Sequence, residues 1–232
     1  MNDAMIIEGD LTSNTSTPQT TLGSKAVTGS GREYRYVKAG GVALVPGTLV
    51  QAPAETAGWE NLSIANAAVG DTTITTTSTV TMTANQAAGG YVMVTVTPGQ
   101  GYIYKIKSHP AASGAVVVLT LEDPIQVALT AAGSKIDVIA SPYSGVIINP
   151  STASGTPVGV AVYPITANYY GWVQTKGPAN VLADGAITVG TSLAASNGTN
   201  GAVEPLAGVQ APVGIAMEGI STTEYGAVNI NL

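Results

Sequence analysis

The chain has 232 residues and a net charge of −6, and only 9% of its residues are charged, against roughly a quarter in an ordinary soluble domain. Six Lys and two Arg in a net acidic chain exclude the phosphate-neutralising surface that nucleic acid demands. The longest apolar run, around Ala115–Leu121, falls far short of the ~20 residues of a membrane-spanning helix.

Cysteine and phenylalanine are both absent. Without Cys there are no disulfides and no thiolate zinc sites, which fits folding in a reducing cytoplasm. A core without Phe must be filled by Val, Ile, Leu, Ala and a few Tyr, and small branched side chains suit the pleated faces of strands. So neutral a composition suits either a surface that meets other protein, as in a subunit of a larger assembly, or a weakly charged monomer.

The start, Met1–Glu8, lacks the basic and long apolar regions of a signal peptide. The Asn-x-Ser/Thr matches at Asn14, Asn61 and Asn197 therefore carry no glycosylation signal. Residues 1–31 form an arm. Thr12–Thr21 has neither helical nor strand periodicity and little apolar surface, so it is either a disordered terminus or a tail that orders against a neighbouring subunit.

From Glu33 the pattern predicts strands. Glu33–Lys38 alternates charged with aromatic or apolar residues, the mark of a half-buried strand. Val42–Val45, the turn Pro46-Gly47 and Thr48–Val50 read as strand, turn, strand. Over roughly 59–145 further strands are predicted around Val80 and Met82, at 91–97, 102–107, 116–121, 125–129 and 135–139, with Ser63–Val69 as a short helix. Short strands punctuated by Gly and Pro predict an all-β fold, a β-sandwich or barrel.

An internal repeat is the most informative feature. Pro157–Val162 recurs as Pro212–Met217, and Ile165, Tyr170, Gly171 and Val173 recur as Ile220, Tyr225, Gly226 and Val228, all at an offset of 55 without gaps. Residues 157–175 and 212–230 are each predicted as a hairpin whose Gly serves the turn or a close approach. A weaker echo at an offset of 138 pairs Leu44–Leu49 with Leu182–Ile187, or reflects only the likeness of tight hairpins. It groups 32–58 with 146–232 as one domain and leaves 59–145 as an inserted β unit.

Catalytic signatures are lacking. His109 is the sole histidine, so neither a Cys–His pair nor a multi-His metal site is available, and no Gly-x-Ser-x-Gly elbow accompanies it. Glu122-Asp123, Asp71 and Asp184 lie in predicted turns, where solvated charges are commoner than an acid/base pair. No calcium loop and no phosphate loop occurs. No cofactor, metal ligand or catalytic residue is expected, and the chain reads as non-enzymatic.

Arg32, Tyr34, Arg35, Tyr36 and Lys38 form the one basic–aromatic cluster. It reads as a strand with a wet face, or as a contact surface for a protein neighbour, since Tyr and Arg anchor interfaces. Trp59 and Trp172 with Tyr169-Tyr170 read as a sugar-stacking platform or an interface patch.

Gly40–Val50, the two Pro-Val-Gly-[Val/Ile]-Ala units, Tyr170–Gln174, Leu182–Gly185 and Tyr225–Leu232 together resemble the small β-rich head decoration (cement) proteins of tailed bacteriophages. The likeness covers about 32–58 and 146–232, with 59–145 resembling an insertion of the marine-phage type. It implies a virion structural protein, made in the host cytoplasm, that sits on the outer surface of the expanded capsid. There it would bind the major capsid protein and stabilise the shell as a homo-oligomer, a trimer being favoured. No motif of that family fixes the contacts; Arg32, Tyr34, Arg35, Tyr36, Lys38 and Trp172, with the 1–31 arm, are the expected ones. The alternatives are a head fibre or tail protein whose β module binds a host-surface glycan, a carbohydrate-binding module of a bacterial surface protein, and an enzyme on a β scaffold.

Overall fold

A computed structural model describes residues 4–5 and 11–232. The chain is all-β and divides into two compact units, Met1–Ala54 with Pro142–Leu232, and Glu55–Ser141. In chain order, the first unit opens with β1 (Ala4–Met5), β2 (Lys25–Val27), β3 (Glu33–Ala39) and β4 (Thr48–Gln51). The inserted unit holds β5 (Leu62–Ser63), β6 (Thr73–Thr75), β7 (Val80–Met82), β8 (Tyr91–Val96), β9 (Ile103–Ser108), β10 (Ala112–Ala115), β11 (Val118–Leu121) and β12 (Lys135–Ile139). The first unit resumes with β13 (Ser144–Ile148), β14 (Pro157–Ala161), β15 (Tyr170–Leu182), β16 (Ser192–Ala195), β17 (Val203–Pro205), β18 (Pro212–Ala216) and β19 (Tyr225–Asn231).

The first unit is a duplicated barrel. Strands β3, β13, β4, β14 and β15 hydrogen-bond in that order, and β15 returns to β3 to close the ring. Val37, Ala39, Leu44, Val50, Val146, Val158, Ala161, Ile165 and Val173 fill it. Barrel diameter grows with strand number, so five strands leave a narrow interior. Small branched side chains fill it, which gives the missing Phe a physical reason.

The second copy runs β15, β19, β18, β16, β17. The long strand β15 is shared, its first half serving one barrel and its second half the other. The hairpin register is conserved: Val160 faces Gln174 and Ala161 faces Val173, as Ile215 faces Asn229 and Ala216 faces Val228. Turn chemistry is conserved too, with Asn168 and Thr223 in the left-handed region at φ 64° and 67°.

Gly171 and Gly226 answer to close packing, not to the turn. A Cβ on Gly171 would lie 2.8 Å from Ile165, and one on Gly226 2.5 Å from Ile220. Both isoleucines sit in barrel cores.

The duplication extends beyond the hairpins, and it corrects the weaker echo. The bridge Leu44–Ile165 recurs as Ile187–Ile220. Gly47 donates to Ala161 as Gly190 donates to Ala216. Gly159 faces Val50 as Gly214 faces Leu193. Leu44 therefore corresponds to Ile187, and Gly47 to Gly190, an offset of 143 instead of 138. Likewise β13 corresponds to β17: Ile148 faces Val50 as Pro205 faces Leu193. The parallel pair Val146–Ala39 recurs as Val203–Ala183, the bridge that returns the second copy's edge to β15. In the second copy β16 and β17 are joined by the short loop 196–202; the equivalent connection, between β4 and β13, carries the inserted unit.

That inserted unit is a six-stranded sheet in the order β5, β12, β8, β9, β11, β6, whose outer strands are joined by a bridge at Ile64–Thr76, with β7 and β10 paired beside it. Its core includes Trp59, Ile64, Ile74, Val92, Val94, Ile106, Leu119 and Ile136.

Several expectations are corrected. Ser63–Val69 is extended, with bridges at Ile64 and Ala67, and is not helical. Ile125–Leu129 contributes only the Leu129 bridge, and Val42–Val45 only the Leu44 bridge. From this irregular backbone Ile64, Ala67, Ile125, Leu129 and Leu44 are buried in cores, whereas Val69, Val42 and Val45 are exposed. Residues 11–31, expected as an arm, lie along the first barrel with Leu11 and Ala26 buried; residues 1–3 and 6–10 fall outside the described ones.

Candidate functional site

The six residues expected to meet a partner are drawn together, but as internal cement. Along β3, Val37 and Ala39 point into the barrel. Tyr34 and Tyr36 point outward, where residues 11–31 close over them. Trp172 on the neighbouring β15 joins them at 8% exposure, its ring 5.0 Å from Tyr36 and edge-on, while Tyr170 stacks on Tyr36 at 6.1 Å. The Gln19 amide donates to the Tyr36 hydroxyl at 3.0 Å, and the backbone of Gly23 and Ser24 pairs with that of Tyr36. Tyr34, Tyr36 and Trp172 are thus core residues and offer no surface to a partner. The alternation in β3 has a second covered face because the segment before it folds back.

The cations of the cluster serve the same closure. Arg35 donates to the Gly23 carbonyl at 2.9 Å and lies over the Tyr143 ring. Lys38 lies over Tyr170, and Arg32 over Tyr34. Glu33 takes Lys25 at 3.2 Å and Lys176 at 4.0 Å. Trp59 is buried too, donating to the Thr81 carbonyl at 3.2 Å. The four aromatic residues read as a sugar platform are therefore not one: Trp59 and Trp172 are each buried in a core.

His109 is buried in the inserted unit. The Ala87 amide donates to Nε2 at 2.9 Å, which places the proton on Nδ1, and Nδ1 donates to the Pro110 carbonyl at 2.8 Å. The His109 amide donates to Asn85 Oδ1. Both ring nitrogens are spent on backbone groups, so neither is available as a base.

The carboxylates hold turns or pair with cations. Glu122 meets Lys105 at 3.1 Å. Asp71 accepts from the Ala68 amide at 2.7 Å, and Asp184 from the Ser196 hydroxyl, which in turn accepts from Gly198 and Thr199. Glu60 is exposed. A hydrogen bond and the charge of Glu55, with smaller contributions from desolvation and Asp137, raise its carboxyl above the ordinary value. Among the described residues no group of three or more His, Cys, Asp or Glu is placed to hold a metal ion, and no helix is long and apolar enough to cross a membrane.

Concavities lie on the first unit among the described residues. One, of ≈ 280 Å³, is bounded by Arg32, Gly47, Tyr163, Gln174 and Asn180. The larger, ≈ 590 Å³, lies on the outer wall of the second barrel between Ser192, Pro212, Ile215, Asn229 and Asn231, with Lys176 at its rim. Sequence reasoning missed this groove. The one signal was in the 55-residue repeat, where Val160 corresponds to Ile215. Compared with known protein families, curated proteins and solved structures, the chain matches none.

Proposed function

We propose that the chain is a non-enzymatic structural protein of a tailed bacteriophage, one that decorates the outer surface of the capsid and stabilises it by binding major capsid subunits as a homo-oligomer, a trimer in the favoured form. The observation that carries this reading is the character of the surface. Val42, Val69, Ile103, Val116, Val189, Val209, Ile215, Met217 and Tyr225 are all exposed on a chain with few charges. Exposed aliphatic side chains amid neutral polar ones suit contact with protein.

The polar chemistry supports the same reading, since Arg35, His109 and Asp184 are spent on closing residues 11–31 over the barrel, on backbone groups and on a turn. Many weak contacts repeated by symmetry hold a shell more firmly than any one of them would alone. The test is direct. Purified protein is mixed with expanded shells that lack it, and binding is read by co-sedimentation and by the rise in shell melting temperature. Saturable binding with a raised melting temperature supports the proposal; no binding overturns it.

A further inference from the structure

We infer that Asn197 is a self-modification site, where the side-chain amide closes onto the Gly198 nitrogen and is hydrolysed to a carboxylate, with Ser196 and Asp184 taking up the proton. Two asparagines of the chain precede glycine, Asn197 and Asn200, and both lie in the 196–202 loop that joins β16 to β17. A glycine has no Cβ to keep its backbone nitrogen from the Cγ of the preceding side chain. The two sites share that advantage, so what separates them is the fold. At Asn200 both reacting groups are tied down. Asn200 Oδ1 accepts from the Ser151 amide at 2.8 Å, and the Gly201 amide donates to the Asn149 carbonyl at 2.7 Å. Gly201 is buried at φ 74°, where an added Cβ would lie 2.8 Å from both Ile148 and Thr48. Its nitrogen reaches the Asn200 side chain only if the loop parts from residues 149–151.

At Asn197 neither restraint exists. Asn197 is exposed, and its side chain makes no hydrogen bond with any described residue. The Gly198 amide donates to the Ser196 hydroxyl oxygen at 3.0 Å, and the Ser196 hydroxyl donates to Asp184 Oδ2. A second amide, that of Thr199, fixes the same hydroxyl at 2.9 Å, and Ser196 is buried. A Cβ on Gly198 would lie 2.7 Å from Asp184 Oδ2, so the carboxylate sits against the glycine backbone. The proton that must leave the Gly198 nitrogen is thus already held on an oxygen whose own proton a carboxylate accepts, the arrangement of a general base.

The step balances without any other reactant than water. The Gly198 nitrogen bonds to Asn197 Cγ as its proton passes to Ser196 Oγ and the Ser196 proton passes to Asp184. The bond from Cγ to Nδ2 then breaks, and the side-chain nitrogen leaves as ammonia, taking that proton back from Asp184. Water adds to one of the two carbonyl carbons of the resulting ring and the bond from that carbon to nitrogen breaks, which leaves an aspartyl or an isoaspartyl residue at position 197. The chain is then one charge more negative than its original −6. The reaction runs once per chain and on the chain itself, so it is not an enzymatic activity.

The experiment incubates the full, folded chain at mildly alkaline pH beside the same chain unfolded in urea, and reads both sites by peptide mapping and mass spectrometry. In the folded chain conversion at Asn197 is expected to run at least tenfold ahead of that at Asn200. In urea the two are expected to convert at similar rates, since each precedes glycine. Ser196→Ala and Asp184→Asn, each confirmed as folded by circular dichroism, are expected to slow Asn197 by about tenfold or more. The folded rate is also expected to rise less steeply with pH than the unfolded one, because its proton acceptor is internal and not hydroxide. Asn197 intact in the folded chain, Asn200 keeping pace with it there, or both variants converting as fast as the wild type would each overturn the inference. Shell binding enters none of these readings, so the proposed function stands or falls separately.

Discussion

Replacing Gly226 by Ala tests the packing on which the duplicated barrel depends. An added Cβ would lie 2.5, 2.7 and 3.0 Å from Cγ1, Cδ1 and Cγ2 of Ile220, and no other residue is among its three nearest neighbours. Overpacking of this kind costs about 1–3 kcal/mol. Ile220 is 4% exposed in the second barrel's core, so Ile220→Ala alone costs about 2–5 kcal/mol through the cavity it leaves. The double variant removes the atoms that collide and half-fills the space, and its loss is expected to be smaller than the sum by about 0.5–3 kcal/mol.

Gly171 supplies the contrast. Its Cβ would meet Ile165 at 2.8 Å but also the Ser13 carbonyl at 2.9 Å, a backbone atom that trimming Ile165 does not move. Coupling between Gly171→Ala and Ile165→Ala is therefore expected to be the weaker of the two. Urea unfolding, read from Trp172 in a Trp59→Phe background, isolates the first unit. Simple additivity at Gly226 and Ile220 would refute the packing argument.

Other expectations follow from single contacts. Tyr36→Phe deprives the Gln19 amide of its acceptor, and is expected to cost about 1 kcal/mol and to shift Trp172 emission to the red as residues 11–24 loosen. His109→Phe strands the Ala87 amide and the Pro110 carbonyl, costing about 1–3 kcal/mol; Trp59 emission should report the loss while Trp172 does not. The Glu60 carboxyl should titrate above its ordinary 4.5 by NMR, and Glu55→Ala should bring it down, because Glu55 is the main cause of the upward shift. A raised carboxyl pKa means the folded state holds its proton more tightly, so any effect on stability is favourable at low pH and lost as pH rises through that value.

The strands and the 55-residue repeat were legible because both write themselves in local patterns: alternation in β3, Pro at the head of β14 and β18, and Tyr-Gly at the start of β15 and β19. The second half of the duplication was not. Leu44 and Ile187, Gly47 and Gly190 are equivalent by hydrogen bonding, but their neighbours diverged because the first copy's strand faces a covered wall and the second an open one. The aromatic cluster was misread for a related reason. Tyr34 and Tyr36 alternate with charges as on a wet strand, yet Arg35 donates to Gly23 while residues 11–31 cover the rings. Thr, Ser and Gly dominate that covering segment, and it holds by backbone and hydroxyl hydrogen bonds that leave no periodic trace.

Electron cryomicroscopy of expanded shells incubated with the purified chain tests most directly whether this neutral, aliphatic surface meets capsid protein. Density for the duplicated barrel at every equivalent site on the outer lattice is the expected result. Bare shells at saturating protein, under conditions where the chain is folded, would contradict it.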